Sequence, residues 1–414
     1  MSAADRIAGK DLERAARDLL VGDPQTVRDA AARTPESAWA DLLQVVSTPL
    51  HPFLEFNLSA VDAMNAVPAA VHRTLTSARG AALVADLQRR SVLRTVVSSL
   101  TANRIEAVAL KGAAVANSLY PKSYLRPMTD IDIWLPDGQL TAAVDLLLRN
   151  GFEVAKGASS DGRLSPVLDQ RRLVATRDGG LVELHGSVHS LQCLSKQRLQ
   201  RCRMSSVPLS AHGIATRMLG PEDALLHTCL HLARTNRFAN SQVPLLDVCF
   251  IVKQWGEQIN WATMADDAGK EEIAVYLTLA LAVARDVWGA PVPEEYFEAI
   301  GEVPNLAEMQ SLAQEQVRER RLSLPFALEG AFRQQGRAAR IALIARRALL
   351  SPWPHRLMTD ITVKIPGYAR AWARGDLSGS ELRRRAALAQ RRGRIGTLAR
   401  EAEARVTSRI PRAT

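Results

Sequence analysis

The chain has 414 residues, of which 47% are hydrophobic and 23% are charged, and its formal net charge at pH 7 is +10. These proportions are ordinary for a folded globular protein and exclude the disordered and collagen-like classes, and the length allows two or three domains. The longest uncharged apolar run, residues 273–284, is too short to cross a bilayer, so we expect no transmembrane segment.

Residues 1–100 are predicted to form an N-terminal helical region. The first ten residues are polar and charged, without the apolar core of a secretory signal. Between residues 68 and 100, apolar side chains recur near the period of an amphipathic helix. These side chains are Val71, Leu75, Leu83, Leu87, Val92 and Val96.

An αβ core is predicted over residues 101–215, and it opens with a strand, a glycine turn and a helix. Residues 105–110 are typical of a short strand, and residues 113–120 favour a helix. Between them lies Lys111-Gly112. The free N–H groups at a helix start favour an anion, and Lys111 adds a positive charge. Because the segment lacks the Walker pattern, it predicts a phosphate-binding turn of another type.

Two aspartates enter the next predicted strand, residues 131–135. Since strand side chains alternate, Asp130, Asp132 and Trp134 share one face. Carboxylates about 7 Å apart along a strand repel each other unless a cation lies between them. Mg²⁺ is typically held by one or two carboxylates together with substrate phosphates. The pair therefore predicts a metal site, with a solvated pair at a strand end as the alternative.

A helix over residues 138–149 and a strand over 152–155 follow, and then a hairpin. The hairpin joins strands 171–177 and 181–188 through Asp-Gly-Gly. Glu183 and His185 share one face of its second strand. Glu183 is either a third carboxylate for two-metal chemistry or a solvent-facing edge residue. His185 either orients an acceptor, pairs with Glu183, or is hydrogen-bonded within the sheet.

Residues 216–315 are predicted to form a helical domain that closes the cleft. Pro221, followed by two acidic residues, is typical of a helix start. His227 and His231 lie four apart on that helix and so share a face. We interpret them as one packed and one site-facing histidine rather than a metal pair. Asp247 lies among apolar residues and needs a partner, for which Arg234 is the predicted residue.

The C-terminal region, residues 316–414, is basic and is predicted to be mostly helical. It holds 22 Lys and Arg against 7 Asp and Glu, whereas the rest of the chain holds 31 against 36. A basic helix can contact nucleic acid, an anionic membrane surface or an acidic partner. The alternative is a solvated helix face with no partner.

The four cysteines predict neither a zinc site nor a disulfide framework. No two of them have Cys-x-x-Cys spacing, and we therefore expect a reducing, cytoplasmic setting. They are Cys193, Cys202, Cys229 and Cys249.

The combined pattern resembles the uncharacterised bacterial nucleotidyltransferases within the DNA polymerase β-like nucleotidyltransferase superfamily. The resemblance covers roughly residues 65–290. The segments that carry it are residues 108–114, Leu119-Tyr120-Pro121, residues 125–128, Asp130-Ile131-Asp132, Leu184-His185, residues 220–227 and 229–233, Leu246-Asp247 and residues 259–261.

The resemblance implies roles for the acidic residues and the glycine. Asp130 and Asp132 match the paired metal carboxylates, Glu183 the third acidic position, and Gly112 the glycine of the phosphate turn. Ala113 stands where the superfamily usually has a serine that contacts the triphosphate. The fold implied is α+β, a small mixed β-sheet nucleotidyltransferase core flanked by N- and C-terminal helical regions.

Four basic or neutral side chains are implied on the substrate side. Lys111 and Arg126 compensate for the missing serine by holding the triphosphate, although Arg126 could instead pair with Asp130 to hold its loop. His231 would lie near the phosphates or the acceptor, and His185 near the acceptor.

The activity expected is transfer of a nucleotidyl group from an NTP to an acceptor hydroxyl, with Mg²⁺ or Mn²⁺ as cofactor. The acceptor could be a small molecule, a peptide, a protein or RNA, and the basic C-terminal region could contact a polyanion. Two other functions stay open at this point. One is glycosyl transfer from a nucleotide-sugar on the same metal–diphosphate site. The other is a non-catalytic protein that binds RNA or an acidic partner.

Overall fold

The computed structural model describes residues 9–154, 170–175, 180–239, 241–318 and 379–407. The helices in this part of the chain are α1 Gly9–Val21, α2 Pro24–Arg33, α3 Trp39–Val45, α4 His51–Ala60, α5 Ala69–Ala102, α6 Lys111–Ser118, α7 Leu140–Arg149, α8 Lys196–Met204, α9 Pro221–Leu230, α10 Gln242–Trp255, α11 Trp261–Lys270, α12 Ala274–Trp288, α13 Glu294–Ile300, α14 Leu306–Arg318 and α15 Gly379–Thr407. The strands are β1 Val108–Ala109, β2 Asp130–Trp134, β3 Phe152–Val154, β4 Gln170–Ala175, β5 Leu181–His185, β6 Val207–Ala211 and β7 Ile214–Met218.

Local sequence signals explain several helix ends. Helix α9 has Pro221 at its first position and Glu222 and Asp223 in its first turn, where the fixed proline φ and the helix dipole favour them. Helix α7 ends at Asn150, and the next residue, Gly151, has a φ of 84°. Glycine adopts this left-handed conformation without the steric cost of a Cβ atom.

The strands form one mixed sheet in the order β3-β4-β5-β2-β1-β7-β6. Strand β2 pairs in parallel with β5 and antiparallel with β1, and β1 pairs in parallel with β7. Helical segments lie before and after this sheet in the chain. The expected α+β class is confirmed.

The alternation on β2 separates two apolar cores. Ile131 and Ile133 are buried with Leu135 in a core that α5 and α7 help to form. Trp134 is buried on the opposite face, in the larger helical core. The predicted sharing of faces by these residues is therefore confirmed, and it fixes the side of the sheet on which Asp132 lies.

Two features of the sheet differ from the sequence prediction. Strand β1 covers only Val108–Ala109, because Leu110 is already the residue that caps α6. The β6–β7 hairpin was not predicted. Its turn residues, His212 and Gly213, have φ values of 52° and 73°. Two positive φ angles are typical of a two-residue hairpin turn, and the His-Gly pair is a weaker signal for it than Asn-Gly or Asp-Gly.

The basic C-terminal region contributes a core helix. In α15, Ile395, Leu398 and Ala402 are buried in the same apolar core as the N-terminal and central helices. On its polar side, Arg391 contacts Glu315 and Arg394 contacts Glu308, each at 3.0 Å. Part of the basic charge is therefore neutralised within the chain. A deletion of this helix would expose apolar core, so it is unsuitable for testing what the basic charge does.

Glu403 of α15 makes stability depend on pH. Its carboxylate is 8% exposed and accepts a hydrogen bond from the backbone N–H of Val275 at 2.9 Å. Burial raises the pKa of Glu403 from its ordinary 4.5 to about 7. The folded state thus binds more protons than the unfolded state between these values, and stability falls as pH rises through this window.

We expect the Glu403→Gln variant to lose this pH dependence. Its stability relative to wild type should rise between pH 5 and pH 8 by on the order of 1–3 kcal/mol, because the amide has no charge to bury. Urea unfolding at both pH values measures the change. Exposed Glu401 on the same helix provides the control, since Glu401→Gln should leave the pH profile unchanged. Parallel profiles for Glu403→Gln and wild type would contradict the prediction.

No helix among the described residues is long and apolar enough to cross a membrane. All four cysteines are free thiols, and three of them are buried. This agrees with the expectation that no disulfide framework supports the fold.

Candidate active site

A cleft of about 460 Å³ lies between the sheet and the surrounding helices. One wall carries the acidic residues of β2 and β5 and the turn after β1, and a second wall comes from α9, α10 and the segment before α4. The residues that line it are Pro49, Lys111, Gly112, Arg126, Pro127, Met128, Thr129, Asp130, Asp132, Glu183, Thr228, His231, Asn236, Val243, Pro244 and Asp247.

Asp132 is the centre of the polar network in this cleft. Its side chain is almost wholly buried, and its Oδ1 accepts hydrogen bonds from Lys111 Nζ at 2.9 Å and from His185 Nε2 at 2.8 Å. Burial disfavours the charged carboxylate, but the hydrogen bond from His185 and the charge of Lys111 outweigh it. Together they hold the pKa of Asp132 well below its ordinary value. Asp132 is therefore ionised at neutral pH.

Glu183 lies directly beside Asp132 because β2 and β5 are parallel and in register at these two residues. Ligand atoms of Asp132, Glu183 and His185 all lie within 4.8 Å of one another. Asp130, half-buried at the start of β2, lines the same cleft. The sheet register thus brings together three carboxylates that are separated by up to 53 positions in the sequence.

This donor set fits a divalent cation. Carboxylate oxygens are the ligands of Mg²⁺ and Mn²⁺, and an imidazole nitrogen also suits transition metals. Among the described residues, no side chain or backbone group donates a hydrogen bond to Oδ2 of Asp132, so that oxygen has a free lone pair. His185 donates to Oδ1, as hydrogen-bonding partners of metal-bound carboxylates do. Of the alternatives open for His185, the hydrogen bond within the sheet is the one found, and its partner is Asp132 rather than Glu183.

Lys111 is the first residue of α6 and adopts a φ of 45°. A residue with a Cβ atom seldom adopts this left-handed conformation, and strain of this kind is concentrated at functional sites. The conformation accompanies the position of the ammonium against Asp132. The following N–H groups begin α6, whose N-terminus is favourable for an anion.

Gly112 lies where a side chain has no room. A Cβ atom there would overlap the guanidinium of Arg126 and come within 3.1 Å of Cβ of Met128. Since both residues are held by the loop before β2, neither can move without changing the cleft. Glycine is thus required here by close packing.

We expect Gly112→Ala to reduce nucleotide affinity by about tenfold or more, because the added methyl group displaces Arg126 and the turn. Binding of Mg·ATP by isothermal calorimetry measures the loss. Gly138, which has open space around its Cα, lies outside the cleft, but its φ of 75° makes it a poor control. Gly80, exposed in α5 with nothing within 4 Å, is the better one. Equal affinities for Gly112→Ala and Gly80→Ala would contradict the prediction.

Arg126 is bound by Asp247 through two hydrogen bonds. Arg126 Nη2 donates to Oδ2 at 2.7 Å and Nε donates to Oδ1 at 3.3 Å, while the Tyr120 hydroxyl donates to Oδ1 at 2.9 Å. One alternative considered for Arg126 and the predicted partner of Asp247 are therefore both wrong. Arg126 does not pair with Asp130, and Asp247 does not pair with Arg234. The partners are 121 positions apart, and helical spacing carries no signal for such a contact.

The two histidines of α9 and the turn after it have different environments. His227 is buried, whereas His231 lines the cleft and its Nε2 accepts a hydrogen bond from Nδ2 of Asn236 at 3.0 Å. Burial and the nearby Lys111 ammonium lower the pKa of His231 to about 3, so its ring is neutral. Residues His231–Thr235 form a π-helical turn, a distortion that is frequent at functional sites.

Most residues predicted from the sequence lie in this cleft. Ala113 and His185 are exceptions. The side chain of Ala113 is buried in the core behind α6, and His185 is buried behind Asp132, to which it donates its hydrogen bond. Sequence reasoning did not assign Asp247, Asn236 or Thr228 to the site. It also missed an apolar strip on the wall opposite the carboxylates, formed by Pro49, Val243 and Pro244. Single apolar residues from distant segments have no sequence pattern that would mark them.

The lining residues carry four carboxylates and two cationic side chains, a formal charge of −2. Both cations are already engaged with carboxylates. This acidic lining is compatible with a triphosphate that enters as a complex with divalent metal.

Comparison with known proteins identifies the family of the chain. No curated protein matches the chain. A family model described as an uncharacterised nucleotidyltransferase matches residues 35–289, a range that contains every residue lining the cleft. Because this match covers more than half of the 414 residues, the chain belongs to that nucleotidyltransferase family.

Proposed function

We propose that the protein transfers a nucleoside monophosphate group from an NTP to an acceptor hydroxyl, with Mg²⁺ or Mn²⁺ as cofactor. The observation that carries the proposal is the pairing of Asp132 with Glu183 on parallel strands that face the same cleft as the turn at Lys111 and Gly112. Membership of a nucleotidyltransferase family supports the reaction class. The acceptor enters the proposal through its reacting hydroxyl group.

Asp130 and Asp132 are the residues that would hold the cation at the phosphates, and Glu183 would assist a second cation or serve as the base for the acceptor. When bound, a divalent cation supplies charge neutralisation at the phosphates and lowers the pKa of the attacking hydroxyl. The ionised state of Asp132 at neutral pH makes it ready for this role. His185, through its hydrogen bond to Oδ1, fixes the orientation of the Asp132 carboxylate.

The strand order supports a proposal in which the two substrates occupy opposite sides of the cleft. The turn at Lys111 follows β1, the two aspartates lie on β2, and Glu183 lies on β5, on the far side of β2 from β1. In this proposal the triphosphate lies against Lys111 and the N-terminus of α6, and the acceptor lies beside Glu183. His231 and Asn236 close the cleft from the wall opposite the sheet.

The chemistry is a single displacement at the α-phosphorus. The acceptor oxygen forms a bond to that phosphorus, the bond to the bridging oxygen of the β-phosphate breaks, and pyrophosphate leaves. The acceptor proton passes to Glu183. Lys111 stabilises the negative charge that accumulates on the phosphates, as a point charge needing no exact orientation.

Product identity tests the proposal. The protein is incubated with each NTP, Mg²⁺ or Mn²⁺, and acceptors of four classes, namely small alcohols, peptides, proteins and RNA. We expect pyrophosphate release together with a nucleotidylated acceptor. Release of a nucleoside diphosphate from a nucleotide-sugar would show glycosyl transfer instead. Binding of no metal–NTP complex at all would refute the proposal and favour a non-catalytic protein.

A further inference from the structure

We propose that Asp247 is a positioning residue that, through Arg126, holds the turn at Lys111-Gly112 in the shape needed for triphosphate binding. This makes nucleotide binding depend on α10, a helix that supplies none of the proposed metal ligands. The inference rests on the proposed function, because it assigns a role within the same cleft.

The guanidinium of Arg126 is fully used in contacts within the protein. Each of its three side-chain nitrogens donates a hydrogen bond within the chain, two to Asp247 and the third, from Nη1, to the carbonyl of Pro127 at 3.0 Å. Arg126 is 9% exposed and Asp247 is 2% exposed. A guanidinium so deeply buried and so fully bonded has little freedom to follow a ligand, so its function is to fix the structure around it.

Arg126 also contacts the turn at Lys111-Gly112. The guanidinium of Arg126 lies against Cα of Gly112, closely enough to exclude any Cβ atom there. Gly112 adjoins Lys111, whose strained backbone places its ammonium on Asp132. The position of Arg126 therefore sets the position of the turn, and Asp247 sets the position of Arg126.

Asp247 is itself held in place by a second hydrogen bond donor. The hydroxyl of Tyr120, which is 7% exposed, donates to Oδ1 of Asp247 at 2.9 Å. Tyr120 follows α6 closely in the chain, so both ends of α6 are connected to α10. A shift of α10 would move the turn at the start of α6 through Arg126 and the residues after its end through Tyr120.

A buried ion pair elsewhere in the protein gives a matched control. Arg198 Nη2 contacts Asp223 Oδ1 at 2.6 Å, and both side chains are less than 10% exposed. Neither residue lines the cleft. Breaking this pair leaves a buried charge without its partner, as breaking the Arg126 pair does, but it leaves the turn at Gly112 untouched.

The test compares Asp247→Asn, Asp247→Glu, Tyr120→Phe and Asp223→Asn in the full chain. Binding of Mg·ATP and Mg·GTP is measured by calorimetry, and binding of Mn²⁺ alone by electron paramagnetic resonance. For Asp247→Asn we expect nucleotide affinity to fall by about tenfold to a hundredfold and Mn²⁺ affinity to stay close to wild type, because Asp130, Asp132 and Glu183 are unchanged. Asp247→Glu, which keeps the charge, should recover part of the nucleotide affinity.

The control separates positioning from stability. Asp223→Asn should lower the melting temperature as Asp247→Asn does, while keeping wild-type nucleotide affinity. Equal loss of nucleotide affinity in both variants, or wild-type nucleotide affinity in Asp247→Asn, would overturn the inference.

Tyr120→Phe carries the test if Asp247→Asn does not fold, since it removes a single hydrogen bond to Asp247. It should weaken Mg·ATP binding by a few-fold, and unchanged binding would then overturn the inference. A wild-type protein that binds neither nucleotide would instead overturn the proposed function, and this inference with it.

Discussion

Replacing Asp132 with asparagine should abolish nucleotidyl transfer while leaving the protein folded. We expect the rate of pyrophosphate release to fall by about a thousandfold or more, because the amide removes the charge of a proposed metal ligand. The amide oxygen can still accept hydrogen bonds from Lys111 and His185, so the network around position 132 survives in part. The ion pair with Lys111 is lost, and stability should fall by about 1–3 kcal/mol.

Two measurements check this expectation, namely circular dichroism melting curves and the pyrophosphate assay with Mg²⁺ or Mn²⁺. Asp137→Asn is the control, because Asp137 is exposed three residues after the end of β2 and does not line the cleft. It should keep both wild-type activity and stability. A fully active Asp132→Asn protein would exclude the metal site proposed here.

Glu183→Gln should lose most of the activity but less nucleotide affinity than Asp130→Asn. Glu183 lies on the strand farther from the phosphate turn, so ground-state binding of the triphosphate should depend on it only weakly. Loss of a proton acceptor typically lowers the rate by about a hundredfold to ten-thousandfold. We expect Asp130→Asn to weaken Mg·ATP binding by about tenfold, and Glu183→Gln by much less.

Calorimetric titration of Mg·ATP into both variants distinguishes the two roles. Glu153→Gln, an exposed glutamate of β3, controls for removal of a negative charge from the sheet. Equal losses of Mg·ATP binding in Asp130→Asn and Glu183→Gln would assign Glu183 to the metal that binds the nucleotide. The proposal would then lack a carboxylate that receives the acceptor proton.

The sheet core and the acidic part of the site could be predicted because their signals are local. Alternation along residues 130–135 indicates which side chains share a face, and it placed both aspartates opposite the apolar core. The Asp-Gly signal after residue 177 predicted the hairpin that carries Glu183, and β4 and β5 pair antiparallel as expected. The same period of two put His185 on the face of Glu183.

The contacts that join the second wall of the cleft to the sheet could not be predicted, because their partners are far apart in sequence. Arg126 and Asp247 each had a nearby alternative partner, and tertiary packing overrode both. The register of β2 against β5 likewise depends on parallel pairing of distant strands, which gave Asp132 rather than Glu183 the hydrogen bond from His185. The residue types of a site can be predicted from the sequence more readily than the partners to which those residues bind.

The ammonium of Lys111 on Asp132 has a consequence for how ligands enter the cleft. A cation already balances this buried carboxylate, so the folded chain carries no uncompensated charge there when metal is absent. Under the proposed function, a divalent ion held through Oδ1 of Asp132 would compete with the ammonium of Lys111, which would then be free to turn toward the phosphate side. A triphosphate on that side would hold the ammonium away from the carboxylate. Metal and nucleotide would then each favour binding of the other, and thermodynamic reciprocity would require the two affinities to rise together.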